Sequence, residues 1–95
     1  MEFNLKQDGN QGAYVAVKND KTIAEITWAQ LGDIMVVDHT FVDDSLRGQG
    51  IAKQLVDKVA AYARQENFKI EPVCSYVVAQ FERSTAYDDI KVSKV

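Results

Sequence analysis

The chain has 95 residues, 46% of them hydrophobic, with a formal net charge of −3; that supports one core and one compact domain over 1–95 and is too apolar for a disordered chain. The acidic balance excludes a general nucleic-acid binder, which needs a basic stripe, and a lone cysteine excludes an internal disulfide and suits a reducing cytoplasm. No apolar run approaches the roughly 20 residues of a membrane span, and the N-terminus lacks the layout of a signal peptide.

Phe3 and Leu5 alternate with Asn4 and Lys6, which predicts a short first strand ending at Asp8-Gly9-Asn10. Tyr14 to Lys18 is the second, and Asn19-Asp20 has the chemistry of a tight hairpin turn. Thr22 to Gln30 returns as the third, with Ala24, Ile26 and Trp28 on one face and Glu25 and Thr27 on the other. After a turn at Leu31-Gly32-Asp33, Ile34 to Val42 is rich in β-branched residues and reads as the firmest strand. The first half is an antiparallel meander.

From Gly50 the period changes. Ile51, Leu55, Val59 and Tyr62 or Ala63 recur at helical spacing, with Ala52, Val56 and Ala60 beside them, up to Glu66-Asn67. Phe68 to Pro72 is a fifth strand, and a right-handed crossover sets it parallel to the fourth. Ser75 is the expected cap of a second helix through Arg83, with Val77, Val78 and Phe81 buried. The tail from Ser84 to Val95 carries Tyr87 and Ile90 without a pattern, and both Tyr87 and Trp28 are read as packing residues. The fold class is α+β: a mixed sheet of four antiparallel strands, a helical crossover and a parallel fifth strand, followed by a short helix.

Chemistry concentrates where the fourth strand meets the long helix. Arg47-Gly48-Gln49-Gly50 opens that helix, and free N–H groups at a helix start, with glycines that let the backbone approach, form an anion site. The nucleoside-triphosphate loop needs Gly-Lys-Ser/Thr where this chain has Gly50-Ile51-Ala52-Lys53, and the dinucleotide fingerprint needs a small residue where Lys53 stands. A parallel strand pair brings His39, Cys74 and the glycine turn to one edge of the sheet. There the helix start favours a thiolate at Cys74, and an imidazole can move protons. Plainer readings stand beside these. His39 shares strand parity with Met35, Val37 and Phe41, as a hydrogen-bonded core residue would; Cys74 fits a small buried hydrophobe; Asp43 and Asp44 fit solvated loop charges.

Arg47-Gly48-Gln49-Gly50-Ile51-Ala52 resembles the Arg/Gln-x-x-Gly-x-Gly/Ala motif of the Gcn5-related N-acetyltransferase superfamily, in its place between the fourth strand and the long helix. With His39-Thr40-Phe41-Val42 and Pro72-Val73-Cys74-Ser75-Tyr76-Val77, the chain resembles a compact subfamily from roughly Ile26 to Phe81. The resemblance implies an acyltransferase moving acetyl from acetyl-coenzyme A to an amine, with no metal. It also implies that amides around Gly48, Gln49, Gly50, Ile51 and Ala52 hold the diphosphate, Arg47 and Lys53 add charge, and backbone groups of Phe41 and Val42 meet the pantetheine. Cys74 and His39 are the implied catalytic groups, with Cys74 either carrying the acetyl as a thioester or acting as acid or base in direct transfer, and His39 accepting its proton. The alternative is a coenzyme A binding module without efficient turnover. The chain departs from the larger members: no helix fits between its first and second strands, and the closing strands are largely missing. The expected partners are acyl-coenzyme A and an amine, with no nucleic acid or membrane, and the chain is expected as a monomer or weak homodimer.

Overall fold

The computed structural model describes residues 1–92, so the end of the tail read from Ser84 to Val95 lies outside the described residues. Strands β1 (Asn4–Asp8), β2 (Gln11–Lys18), β3 (Lys21–Leu31) and β4 (Ile34–Val42) are joined by two-residue turns at Gly9-Asn10, Asn19-Asp20 and Gly32-Asp33. Asn19 and Asp20 both take left-handed backbone, φ 53° and 62°, as the turn that matches strand twist requires. Asparagine and aspartate tolerate that region better than other side chains. β2 opens at Gln11 rather than Tyr14, because the tight first turn sets Asp8 opposite Gln11.

Helix α1 (Ile51–Glu66) makes the crossover to β5 (Lys69–Pro72), which runs parallel to β4 from Ile34↔Lys69 to Val37↔Pro72. The sheet order is β1-β2-β3-β4-β5. Asn67 ends α1 in left-handed backbone, and the Phe68 amide reaches back to the Ala63 carbonyl at 2.8 Å, which satisfies an otherwise open helix end.

α1 lays Ile51, Leu55, Val56, Val59, Ala60 and Ala63 on Ala24, Ile26 and Trp28 of β3, Met35 and Val37 of β4 and Ile70 of β5. Each large aliphatic side chain sealed there contributes roughly 1.5–3 kcal/mol, so this interface carries the fold. Trp28 also lies across Gly12, its partner on β2: a Cβ at Gly12 would stand 2.3 Å from the indole.

Helix α2 (Ser75–Arg83) begins one residue beyond its cap, and that cap is Cys74 rather than the expected Ser75. The reason is the path out of β5. The amides of Val73 and Cys74 both donate to the Val37 carbonyl, at 2.9 and 3.0 Å, which keeps Cys74 extended and starts the helix at Ser75. Val77 and Phe81 are buried as expected, while Val78 is half-buried.

The patternless tail docks closely. After a single tight turn at Thr85–Tyr87, Tyr87 stacks on Phe81 with ring centroids 4.8 Å apart. Ile70 then donates to the Ile90 carbonyl at 2.6 Å and accepts from the Val92 amide at 3.0 Å. The tail thus adds a short parallel bridge to the open edge of β5.

Candidate functional site

β4 outruns β5. Its pairing with β5 stops at Val37↔Pro72, where proline has no N–H to extend the ladder. β4 then continues through Asp38–Val42 with only β3 alongside. At the same point the register slips: Trp28 pairs with Val37 and Thr27 with His39, which leaves Asp38 as an extra residue. Thr27 Oγ1 donates to Asp38 Oδ1 at 2.7 Å and holds the bulge. A bulge bends and twists its strand, and beyond this one β4 no longer pairs with β5.

The bulge also inverts the phase of everything after it. Thr40 pairs with Ile26 and Val42 with Ala24, on the side of α1, whereas His39 pairs with Thr27 and Phe41 with Glu25 on the opposite side. The alternation that groups His39 with Met35 and Val37 is broken by Asp38, and the core reading of His39 is corrected: the residue is exposed. Phe41 is 40% exposed.

Cys74, two residues beyond β5, meets this stretch of β4. Its sulfur lies 3.4 Å from Thr40 Oγ1 and is half-buried. Burial pushes the thiol up, yet the Thr40 hydroxyl and the amides of Val77, Tyr76 and Thr40 more than offset it, so the thiol ionises below its ordinary value. The sulfur closes no capping hydrogen bond of regular geometry with α2; the pull is that of open N–H groups at a helix start. The structure therefore joins Cys74 to Thr40, whose role the sequence reading missed. It sets His39 on the other face, with no hydrogen bond to the sulfur.

The glycine turn stands at the far end of the free stretch of β4. Gly48 and Gly50 take left-handed backbone, φ 81° and 70°, with open space where a side chain would project. Gly50 is the cap of α1, and the first helical bond runs from Gln54 to its carbonyl at 3.1 Å, so the amides of Ile51, Ala52 and Lys53 precede any intrahelical partner. A cleft of about 560 Å³ opens beside the turn, lined by Gln49, Ile51, Gln54, Met1, Lys18 and Ile23 among others. The two cations of the turn and first helical turn have carboxylate partners: Arg47 meets Asp44 at 3.0 Å and Lys53 meets Asp57 at 2.9 Å. Such exposed pairs are weak, typically under about 1 kcal/mol. Asp43 is more than a loop charge: it caps the turn Asp44–Leu46 by accepting from Ser45 N at 3.2 Å and Ser45 Oγ at 2.6 Å.

A larger cleft, about 1000 Å³, lies elsewhere, between β5, α2 and the tail, with Lys69, Glu71, Val78 and Lys91 among its walls. It does not adjoin the glycine turn, and the chemistry described above does not depend on it.

The family model described as GCN5-related N-acetyl-transferase matches residues 12–90. The chain belongs to this family. Among solved structures, this GCN5-related N-acetyltransferase is similar to a GCN5-like N-acetyltransferase candidate from Staphylococcus aureus, with 32% identity, a TM-score of 0.71, and 97% of this chain and 90% of that one covered. The ribosomal-protein-alanine N-acetyltransferase of Brucella melitensis biovar Abortus shares its fold at 23% identity and a TM-score of 0.64, with 93% of this chain and 66% of that one covered. A streptothricin acetyltransferase candidate from Bacillus anthracis, solved in complex with acetyl coenzyme A, shares it at 20% identity and 0.58, covering 80% and 47%. The chain thus spans about half to two thirds of those two larger proteins. No curated protein matches the chain. This GCN5-related N-acetyltransferase has the crossover, the glycine turn and the parallel pair within the matched residues. No helix of the described residues is long and apolar enough to cross a membrane.

Proposed function

We propose that this chain transfers an acyl group, acetyl first among them, from acyl-coenzyme A to an amine by way of Cys74. One observation carries the reading: the glycine turn and the Cys74 sulfur flank the same stretch of β4 that β5 leaves unpaired, with the sulfur already drawn toward thiolate. The acetyl coenzyme A bound to the Bacillus anthracis relative supports the choice of donor.

In this reading the amides of Gly48, Gln49, Gly50, Ile51 and Ala52 hold the diphosphate, with Arg47 and Lys53 turning from their carboxylates to add charge. Backbone groups of Phe41 and Val42 pair with the pantetheine amides along the free edge of β4, as an added strand would. The Cys74 thiolate attacks the acyl carbonyl; its new C–S bond forms as the bond to the coenzyme sulfur breaks, and the coenzyme leaves as a thiolate that takes a proton from water. The amine enters from the opposite face, where His39 lies, and attacks the acyl-Cys74 thioester. The C–N bond forms, the C–S bond breaks, His39 takes the proton of the amine, and the thiolate returns to Thr40. His39 therefore serves the amine rather than Cys74, which agrees with its side of the sheet.

One observation favours the binding-module reading: no helix packs over β2 and β3 on the side away from α1 among the described residues, so the amine side lacks walls. Mass spectrometry separates the two. After treatment with acetyl-coenzyme A, Cys74 should gain one acetyl group and lose it when an amine pool is added. Transfer at the wild-type rate by Cys74→Ala would end the covalent route, and binding with neither label nor transfer would leave the module.

A further inference from the structure

Lys53 lies in the first turn of α1, and its ammonium is held there. Nζ donates to Asp57 Oδ2 at 2.9 Å, and the other oxygen of that carboxylate accepts from the Tyr87 hydroxyl at 2.5 Å. Tyr87 is buried, its ring parallel to that of Phe81 within 10°. The segment carrying it is tied down beyond the stack: Arg64 donates to both oxygens of Asp89 at 2.9 and 3.0 Å and to the Ala86 carbonyl at 2.6 Å. One carboxylate thus links the helix start that faces the proposed diphosphate to a tyrosine 30 positions further along.

We infer that Tyr87 is a positioning residue for Lys53, so that the C-terminal segment belongs to the phosphate-binding end of the coenzyme site. The inference rests on the acyl-coenzyme A reading and adds to it a residue that touches no part of the ligand. Two effects act in the same direction. A lysine side chain has large rotamer entropy to lose on meeting an anion; a carboxylate fixed by Tyr87 reduces that loss. Asp57 is also an anion close to the proposed phosphate, and it opposes binding by simple repulsion. The tyrosine hydroxyl draws charge from one oxygen and keeps the carboxylate from turning both toward Lys53. Removing that hydroxyl loosens the lysine and strengthens the repulsion together, so phosphate binding weakens by both routes.

The test is calorimetric titration with two probes: coenzyme A, and S-acetylpantetheine, which has the thioester arm but no phosphate. Tyr87→Phe keeps the ring on Phe81. It should weaken coenzyme A about three- to tenfold and leave S-acetylpantetheine unchanged, an effect that vanishes in a Lys53→Met background and persists in Arg47→Met. Equal weakening of both probes, or full persistence beside Lys53→Met, would assign Tyr87 a packing role only and overturn the inference. Should Tyr87→Phe not fold, Lys53→Met decides alone: at an exposed position it should weaken coenzyme A and flatten its salt dependence, and wild-type affinity in that variant ends the proposal. Absence of coenzyme A binding by the wild-type chain would end the acyl-coenzyme A reading and this inference together, before any variant is made.

Discussion

Thr40 Oγ1 stands 3.4 Å from Cys74 Sγ, although the two residues are 34 positions apart. When the sulfur is a thiolate the hydroxyl must donate, so this contact favours the charged form. Thr40→Val keeps the shape and removes the donor. The midpoint for alkylation of Cys74 by iodoacetamide should rise toward the value of about 8.5 of a free thiol, with the rate at neutral pH falling about three- to tenfold, as for loss of an ordinary hydrogen bond of about 1 kcal/mol. Thr40→Ser should behave as wild type. An unmoved midpoint in Thr40→Val would remove Thr40 from the site.

The same lowered thiol fixes the sign of the pH dependence. Because Cys74 ionises more readily folded than unfolded, its thiolate contributes stability above the unfolded value, and that contribution is lost as pH falls through the folded value. Acylation of Cys74 in a single turnover should rise with pH over the same window and level off before an ordinary cysteine would. A rate that does not change from acid to alkaline conditions would exclude the thiolate as the attacking group.

Gly50→Ala forces an alanine into left-handed backbone, at roughly 1–2 kcal/mol, with no steric clash because nothing lies within 4 Å of the new Cβ. In a domain of this size that lowers Tm by several degrees. The added methyl also stands in the proposed diphosphate space, so the rise in Tm expected of the wild type with coenzyme A should be absent from this variant. Gly9→Ala carries the same kind of strain, φ 59° with open space, but lies far along the chain in the β1–β2 turn. It should lose stability and keep the coenzyme A response. Equal responses in the two variants would show that the glycine turn does not hold the ligand.

Gly12→Ala has a different penalty. The new Cβ would stand 2.3 Å from the Trp28 ring, and Trp28 is sealed in the core at 1% exposure, so one of the two must move. Overpacking of this kind costs about 1–3 kcal/mol, and chemical denaturation should show it. Trp28→Phe leaves a void by itself, but combined with Gly12→Ala the losses should sum to less than their separate values. Strict additivity would mean that the methyl finds room elsewhere.

Most of the sheet was legible because its signals are local. Two-residue turns of glycine, asparagine and aspartate join the first four strands, and Ala24, Ile26 and Trp28 alternate as a half-buried strand must. The phase of His39 was not legible, since a bulge is a relation between two strands and nothing in Val37-Asp38-His39 announces that Asp38 will go unpaired. Thr40 was overlooked for the same reason: on an unbroken strand it would face away from Cys74. Ser75 has the better cap chemistry, but the helix start is set by the Val37 carbonyl holding two amides of the preceding chain. Tyr87 and Ile90 enter the core from a single turn and a lone bridge, which have no period to read.

The two-residue link at Gly9-Asn10 bears on fidelity. Under the proposed mechanism, the acyl-enzyme has bulk solvent as a neighbour on the amine side, so hydrolysis competes with every productive encounter. The ratio of wasted to useful turnovers is then governed by how much nucleophile is present and by how well it is held against a nearly flat surface. In that mechanism the openness sets no wall against a large recipient, a residue on a folded polypeptide included, and makes the yield depend on abundance rather than enclosure.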